Sequence, residues 1–141
     1  MEIKYKRLTP EAKMPRYAHA NDSGMDVCAN TLVEIPPRSH AKIPTGIAAG
    51  IPVGCELQVR PRSGLASKGI VAAFGTVDKD YTGEICVTLY NHTDEAYRVC
   101  VGDRIAQLVL APVIHADVIE ETGELGETER GANGFGSTGI Q

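Results

Sequence analysis

Hydrophobic and polar residues alternate along much of this chain, with the two-residue period of β-strands that bury one face. The clearest example is Cys55–Arg60, where Cys55, Leu57 and Val59 are predicted to face a core and their neighbours to face outward. Comparable short runs recur between glycines and prolines, at residues 1–8, 32–35, 41–44, 46–51, 70–74, 85–89, 96–101, 104–113 and 115–119. No long helical pattern free of Gly or Pro separates them, so the pattern predicts an all-β fold of the sandwich or jelly-roll type.

Two of these runs, 70–74 and 85–89, flank a segment that is rich in glycine and aspartate. We predict that the two runs pair as a hairpin, with residues 78–81 at the bend and the glycines on either side as backbone hinges. A carboxylate on such a rigid turn, such as that of Asp78, would be held in one place, as a catalytic base requires. The competing interpretation is that the aspartates only form a solvated turn, which is a common use of Asp.

Composition and charge narrow the classes of function. The chain has 141 residues, enough for one domain with a core, and its formal net charge of −4 argues against a nucleic-acid-binding surface. It contains no apolar run of membrane-spanning length and no signal peptide, so we expect a soluble, cytoplasmic protein without membrane contact. The four cysteines are far apart and form no C-x-x-C pair, which favours buried free thiols over zinc ligands.

The segment after the strand 55–60 has the composition of an anion site. Ser63 is a suitable helix N-cap, so a single helical turn is predicted over residues 64–68. Its free amide groups, the Arg62 guanidinium and the Ser63 hydroxyl would together attract an anion. An ordinary capped turn with a surface arginine would have the same sequence, so both interpretations stay open.

Polar side chains at two further places are candidates for a site. Gln107 and Arg104 interrupt a long apolar run. A buried glutamine must find partners, so Gln107 either bonds to the backbone or lines a site. Asp26, just past Gly24, is a second carboxylate that could serve as a metal ligand or base.

The character of the chain changes near residue 120, so we divide it into a domain at 1–120 and a tail at 121–141. An acidic linker with five glutamates occupies residues 120–129, and a glycine-rich stretch follows it. Such a stretch is a flexible tail by default, but its amides, with an arginine and hydroxyl groups, can also wrap phosphates. Phe135 is unusual in a plain linker, because an exposed aromatic ring favours a surface to cover.

Together these segments predict a polyphosphate ligand with a planar group at its other end. Clustered cations beside carboxylates indicate phosphates with a divalent metal. The aromatic residues Tyr81 and Phe135 suit contact with a sugar or a base. The inferred ligand is a nucleoside triphosphate.

Five segments, taken in order, resemble the motifs of the trimeric dUTPases over almost the whole chain. They are Ser-Gly-Met-Asp-Val at 23–27, Pro-Arg-Ser-Gly-Leu-Ala-Ser-Lys at 61–68, Gly-Thr-Val-Asp-Lys-Asp-Tyr-Thr-Gly-Glu-Ile at 75–85, Gly-Asp-Arg-Ile-Ala-Gln-Leu at 102–108 and Arg-Gly-Ala-Asn-Gly-Phe-Gly-Ser-Thr-Gly at 130–139. One such match has little specificity, whereas five in this order are very specific. The chain departs from the usual motifs at Met25, at residues 72–74 and at Thr76.

The resemblance implies a jelly-roll-like or distorted β-barrel homotrimer that hydrolyses dUTP to dUMP and pyrophosphate with Mg²⁺. This reaction would keep uracil out of DNA and supply dUMP for dTMP synthesis. Three active sites would lie between subunits, each closed by the C-terminal tail of another chain. Asp78 would accept the proton of the water that attacks the α-phosphorus, and Asp26 would hold the magnesium through water.

The resemblance also implies how substrate is read. Hairpin backbone would recognise uracil, Tyr81 would pack on the deoxyribose and leave no room for a 2′-hydroxyl, and Phe135 would cover the base. The residues implied to bind substrate are Arg62, Ser63, Gly64, Gly75, Thr76, Val77, Tyr81, Cys86, Gln107, Arg130, Phe135, Gly136, Ser137 and Thr138.

Two alternative functions are compatible with the same fold. A related class of enzymes deaminates dCTP and needs an extra acid over the pyrimidine amino group, for which residues 72–78 offer no candidate. A non-catalytic trimeric nucleotide-binding module would not need the intact set Asp78, Tyr81 and Arg130.

Overall fold

The regular secondary structure of the chain is almost entirely antiparallel β-strand, in a computed structural model that describes residues 1–133. A single helical turn, α1, spans Ser63–Ala66. The strands are β1 Lys4–Arg7, β2 Met25–Cys28, β3 Val33–Ile35, β4 Ser39–Pro44, β5 Ile47–Gly50, β6 Cys55–Arg60, β7 Ile70–Ala72, β8 Gly75–Val77, β9 Cys86–Asn91, β10 Tyr97–Val99 and β11 Arg104–Pro112. The predicted all-β class is therefore confirmed.

Two larger sheets and two strand pairs enclose one hydrophobic core. The larger sheets have the strand orders β2-β11-β6-β8 and β4-β9-β7, and the pairs are β1-β5 and β10-β3. Buried side chains from both larger sheets belong to one cluster, which includes Val27, Ile43, Leu57, Val59, Ile70, Val87, Leu89, Ile105 and Leu108. Packing sheet on sheet around a shared core gives the jelly-roll-like architecture that the strand pattern predicts.

Alternation predicts the inward faces correctly where the strand is long. Along β6, Cys55, Leu57 and Val59 are buried, while the residues between them are half-buried. The N-terminal run forms the edge strand β1, which pairs with β5. Both results follow from the period of two, since successive side chains in a strand point to opposite faces.

The predicted hairpin around residue 78 is only partly correct. β7 does pair with β9, with Ile70 opposite Asn91 and Ala72 opposite Leu89. However, Gly75–Val77 forms β8, which leaves that sheet and pairs with β6 of the other sheet. Val77 is thereby buried in the shared core, and a Cβ on Gly75 would lie 3.4 Å from the Cβ of Val59. The segment that precedes Asp78 therefore bridges the two sheets.

The strand predicted at residues 115–119 is wrong. These residues have no regular structure, and Ile114, Val118 and Ile119 are between 85% and 98% exposed. A strand needs a neighbour for its backbone hydrogen bonds, and no segment among residues 1–133 pairs with this one.

The cysteines follow the prediction only in part. All four are free thiols, but only Cys55 is buried, Cys28 and Cys86 are half-buried and Cys100 is exposed. Cys100 lies at the turn after β10, where the apolar run ends. Within the described residues no group of three His, Cys, Asp or Glu side chains could hold a metal ion. None of the described helices is of the length and apolarity that a bilayer crossing demands.

Candidate active site

Asp78 lies at the rim of a cleft of about 310 Å³ that opens where β8 ends. Its side chain is exposed, and its carbonyl accepts a hydrogen bond from the Tyr81 amide at 3.0 Å, which closes a turn over residues 78–81. The predicted site residues that line this cleft are Thr76, Val77, Asp78, Tyr81 and Cys86, and Lys42, Glu84 and Ile85 complete its wall. The turn thus holds the carboxylate beside a pocket of limited size.

The Tyr81 ring has a fixed position over a glycine. Its hydroxyl donates to the Glu84 carbonyl at 2.8 Å. A Cβ on Gly83 would lie 2.6 Å from that hydroxyl oxygen, so only glycine at position 83 leaves room for the ring there. The hinge role predicted for Gly83 is therefore replaced by a steric role, since its backbone is not in the left-handed region.

Three hydrogen bonds tie the end of this loop to the turn between β4 and β5. The Glu84 carboxylate accepts from the Gly46 amide at 2.8 Å. The Thr45 hydroxyl donates to the Ile85 carbonyl at 2.6 Å, and the Ile85 amide donates to the Ile47 carbonyl at 2.8 Å. These side-chain anchors of the loop, at 45 and 84, were not identified from the sequence, because their partners are distant in the chain.

Cys86 forms part of the wall of this cleft, and its raised pKa argues against a role as a nucleophile. Burial of its half-exposed thiol raises its pKa above the usual range, and the neighbouring Glu84 carboxylate raises it further, against a smaller lowering by Lys42. A thiol with a raised pKa stays protonated at neutral pH, and the protonated form is a weak nucleophile.

A second cleft, of about 520 Å³, contains the residues predicted to bind phosphate. The Asp26 carboxylate lies in its wall between two guanidinium groups, with Oδ1 2.9 Å from Arg62 Nε and Oδ2 3.1 Å from Arg104 Nη1. The strand register explains this proximity, because Asp26 on β2 and Arg60 on β6 both lie opposite Gln107 on β11. Arg62 and Arg104 thus reach the same carboxylate from opposite sides of it.

The helical turn in this cleft starts earlier than predicted. Arg62 is the N-cap residue and makes no side-chain capping bond, and Ser63 is the first helical residue, so the N-cap predicted at Ser63 is wrong. The extended backbone of Arg62 continues β6 up to the helix, which shifts the cap by one residue. The first amides of a helix have no partner inside it, and Ser63 and Gly64 are exposed to the cleft.

Gln107 satisfies both interpretations that its sequence position allowed. Its Nε2 donates to the Pro61 carbonyl at 2.9 Å, and its side chain also lines the cleft. A Cβ on Gly24 would lie 2.9 Å from the Gln107 Cβ, so the glycine of the first motif is needed for this packing. The contact links two motifs that are far apart in the sequence.

The residues of the second cleft can contribute to a magnesium site but cannot form one alone. Its carboxylates are Asp26, which is 14% exposed and paired with two arginines, and Asp22. Magnesium prefers oxygen ligands, keeps several waters and usually contacts only one or two protein carboxylates beside substrate phosphates. The donor set therefore fits an ion that is carried by phosphates and contacted by Asp26.

The two clefts lie at opposite ends of β6. Val77, next to Asp78, pairs with Leu57 near the start of the strand, whereas Arg62 follows the end of it. Five residues of extended chain separate Leu57 from Arg62, which corresponds to about 17 Å. Within one chain the candidate base and the candidate phosphate site are therefore far apart.

The tail contributes little to either cleft in the described part of the chain. Arg130 is exposed and its Nε donates to the Asn133 carbonyl at 2.8 Å. The remaining predicted tail residues, Phe135, Gly136, Ser137 and Thr138, lie outside the described residues.

Known proteins of one family match this chain over almost its full length. The family model described as dUTPase matches residues 10–139. The deoxyuridine 5′-triphosphate nucleotidohydrolase of Picosynechococcus sp. is 49% identical over 142 residues, covering 99% of both chains. That of Gloeothece citriformis is 47% identical over 143 residues, covering 99% of this chain and 98% of the relative.

Solved structures of the same family have the same fold. A mutant dUTPase of Staphylococcus bacteriophage 80alpha with dUpNHpp matches with a TM-score of 0.92 at 28% identity, covering 99% of both chains. A mutant dUTPase from phage phi11 of S. aureus, described with a structural Mg(II) ion, matches with a TM-score of 0.82 at 25% identity over 87% of this chain and 98% of that one. The chain belongs to the dUTPase family.

Proposed function

We propose that this enzyme hydrolyses dUTP to dUMP and pyrophosphate, by in-line attack of a water molecule on the α-phosphorus in the presence of Mg²⁺. The reaction would keep uracil out of DNA and supply dUMP for dTMP synthesis. The observation that carries the proposal is the pair of clefts in a dUTPase-family fold. One has an exposed carboxylate beside an aromatic ring, and the other has guanidinium groups and free helix amides.

Asp78 is the proposed general base. Its carboxylate is exposed at a turn whose backbone is closed by the Tyr81 amide, so it is free to accept a proton yet held in place. A positioned base contributes roughly 10²–10⁴ in rate, too little for phosphoanhydride hydrolysis alone. The remaining acceleration must come from neutralisation of phosphate charge and from alignment of the attacking water.

The first cleft is the proposed site of the nucleoside. Uracil would be recognised by the backbone around Gly75, Thr76 and Val77 and at Cys86, because its N3–H donor and O4 acceptor are replaced in cytosine by an N3 acceptor and an amino donor. The Tyr81 ring, fixed by the Glu84 carbonyl, would pack on the deoxyribose. A ribose 2′-hydroxyl would then find no room.

The second cleft is the proposed site of the phosphates. The amides of Ser63 and Gly64 and the guanidinium of Arg62 would bind phosphate oxygens, as helix N-terminal amides and arginines commonly do. Gln107 would help to place them, because its side chain is already fixed by the Pro61 carbonyl. Mg²⁺, when bound, neutralises charge on the phosphate oxygens, and Asp26 would hold it through water.

The separation of the clefts supports an active site shared between chains. Asp78 has to lie beside the α-phosphorus and Gly64 beside the neighbouring phosphates, only a few bonds away. A distance of about 17 Å along β6 prevents one chain from providing both groups. We therefore propose a homotrimer in which one subunit provides the nucleoside cleft and another the phosphate cleft.

The tail is the proposed third component of each site. In this arrangement residues 1–120 form the domain, and residues 121–141 extend to a site between other subunits. Arg130 would reach the γ-phosphate, Phe135 would cover the base, and Gly136, Ser137 and Thr138 would wrap the phosphates. The exposure of Arg130 and of the whole linker is compatible with such a reach.

The direct experiment measures pyrophosphate release from dUTP with Mg²⁺, in parallel with dTTP, dCTP and UTP. We expect rapid release from dUTP only. Release of ammonia from dCTP would instead support the deaminase alternative, and binding without turnover would support a non-catalytic module.

Replacing the base gives the sharper test of mechanism. We expect Asp78→Asn to lower kcat by about 10²–10⁴ while dUTP still binds, because the amide cannot accept the proton. The matched control is Asp80→Asn, two residues away, whose carboxylate is highly exposed and, among residues 1–133, pairs only with Lys79. Normal turnover in the Asp78 variant would contradict the assignment.

A further inference from the structure

A wide basic cleft of about 780 Å³ lies beside the phosphate cleft, and its lining residues other than Asp26 have no role in the proposed chemistry. Its cations are Arg7 at the end of β1, Lys13 and Arg16 in the connection that follows, and Arg104 at the start of β11. We call it the basic groove. Arg104 and Asp26 line both clefts, so one wall separates the groove from the phosphate cleft.

Most of the positive charge in the basic groove is uncompensated. Arg7, Lys13 and Arg16 are exposed, and none has a carboxylate within ion-pair distance among residues 1–133. Asp26 is already neutralised by the arginines at 62 and 104, which leaves Glu11 as the other acid of the groove. A concave surface with excess charge of one sign attracts a ligand of the opposite sign.

The same chain contains a segment with the complementary charge. Residues 114–129 hold Asp117 and the five glutamates of the linker, with no lysine or arginine. Every residue of the segment is exposed, and within the described chain none of its carboxylates forms an ion pair with a basic side chain. Met14 and Pro10 in the groove also offer apolar contact to side chains such as Leu125, which is 94% exposed.

We propose that the acidic segment 114–129 of a second copy of this chain docks in the basic groove and delivers Arg130 to the adjoining phosphate cleft. A second copy is favoured over the same chain by the direction of β11. This strand begins at Arg104 beside the groove and ends eight residues later at Pro112, about 27 Å away. The chain's own segment leaves from that far end, and none of its residues lines the groove.

Docking of this kind would precede the chemical step. The inference rests on the proposed role of the tail. The segment ends directly before Arg130, and the wall formed by Asp26 and Arg104 is shared with the phosphate cleft. Seating the glutamates on one side of this wall would place Arg130 near the other side. The gain is an increased effective concentration of the tail at its site.

The test reverses charge on each side separately and then on both, in the full-length protein. The groove variant is Lys13→Glu with Arg16→Glu, and the segment variant is Glu124→Lys with Glu127→Lys. The side chains replaced are exposed and lie outside the proposed catalytic machinery. A control, Lys6→Glu with Arg98→Glu, makes the same change in net charge at exposed positions that do not line the groove.

The primary measurement is hydrogen exchange of amides 114–133 without substrate at low salt, which does not depend on catalysis. We expect exchange to accelerate by roughly 10-fold in each reversed variant, but not in the control, and protection to return when both sides are reversed. The value of kcat/KM for dUTP should fall and recover in parallel, with native size in solution throughout.

The proposal is overturned if the control behaves like the groove variant or if the double reversal restores nothing. It is also overturned if the groove variant loses affinity for added inorganic pyrophosphate while linker protection is unchanged, because the groove would then bind a free anion. An enzyme without dUTP hydrolysis but with these exchange changes would refute the proposed function and leave the docking intact.

Discussion

At the scale of single residues, two glycines of the proposed site are glycine for different reasons. A methyl group at position 83 would collide with the Tyr81 ring, so Gly83 is required by the chain itself. A methyl group at position 64 would meet no atom of residues 1–133 within 4 Å, so this part of the chain places no such demand on Gly64. The free space in front of Gly64 instead supports close approach of a ligand to its backbone.

The contrast predicts that Gly64→Ala separates stability from catalysis. We expect the free energy of unfolding to be unchanged or slightly raised, because alanine is the better helix former and has space. In contrast, kcat/KM for dUTP should fall on the order of 10²-fold, because a phosphate would be displaced by the methyl group. Denaturant unfolding and steady-state kinetics check the two halves, and an equal loss in both would contradict the proposal. The control is Ser67→Ala, which lies at the end of the same helical turn. Gly54→Ala is unsuitable as a control, because Gly54 has a positive φ.

At this scale the sequence identified most chemical groups of the proposed site but not what fixes them. Asp78, Tyr81 and Arg62 stand out by residue type and by their position in a motif. The Tyr81 hydroxyl bond to Glu84 is local, but the pairing of Asp26 with Arg104 joins residues 78 positions apart. Such contacts depend on which strands become neighbours, and alternation of polarity does not encode that.

At the scale of elements, the loop that carries Asp78 and Tyr81 is anchored at both ends. Its start continues β8, which is paired with β6, and its end is bonded to the turn between β4 and β5 through Thr45 and Glu84. A loop held at both ends loses little conformational freedom when substrate binds. The loop is thereby a preformed part of the proposed site.

The Glu84 anchor predicts different outcomes for two substitutions. Glu84→Ala should leave the Gly46 amide without its partner, at a cost of about 1–3 kcal/mol in the free energy of unfolding, and should raise KM for dUTP. Glu84→Gln retains an acceptor oxygen and should stay close to wild type in both. Chemical denaturation and steady-state kinetics measure the two effects. Similar behaviour of the two variants would show that the hydrogen bond from Gly46 to Glu84 contributes neither to stability nor to KM.

The strand pattern predicted most elements of the fold and failed where pairing decides the outcome. β6 and β9 follow from local alternation, and the β7–β9 pair follows from two apolar runs that flank a turn. The pattern predicts a hairpin in which the run 70–74 ends at the hinge Gly75, whereas residues 75–77 form β8 and join the other sheet. The run at 115–119 has strand character but no neighbour in the described chain to pair with.

At the scale of the whole molecule, β6 sets the distance between the two halves of the proposed site. Its N-terminal end supports β8 and hence Asp78, and its C-terminal end leads into α1 and hence Gly64. A rigid strand cannot shorten this distance, so in the proposed homotrimer the halves would meet across an interface between chains. Symmetric association of identical chains then builds every site in the same way.

A shared site predicts that two inactive variants complement each other. Asp78→Asn and Gly64→Ala chains, refolded together in equal amounts, should regain about a quarter of wild-type activity, because random assembly reunites the two intact halves at that frequency. Each variant refolded alone is the control. An absence of recovery from verified mixed oligomers would mean that each chain contains its own complete site.

The crossing of residues 70–77 from one sheet to the other also limits how heat can inactivate the enzyme. The segment that carries the proposed base, Asp78, should not unfold while the domain stays folded. Its unfolding requires β8 to detach from β6 and Val77 to leave the core. Local unfolding of β8 and global unfolding of the domain should therefore occur in one cooperative transition. On warming, the amides of β8 should therefore lose their protection against hydrogen exchange together with those of β6 and not before them.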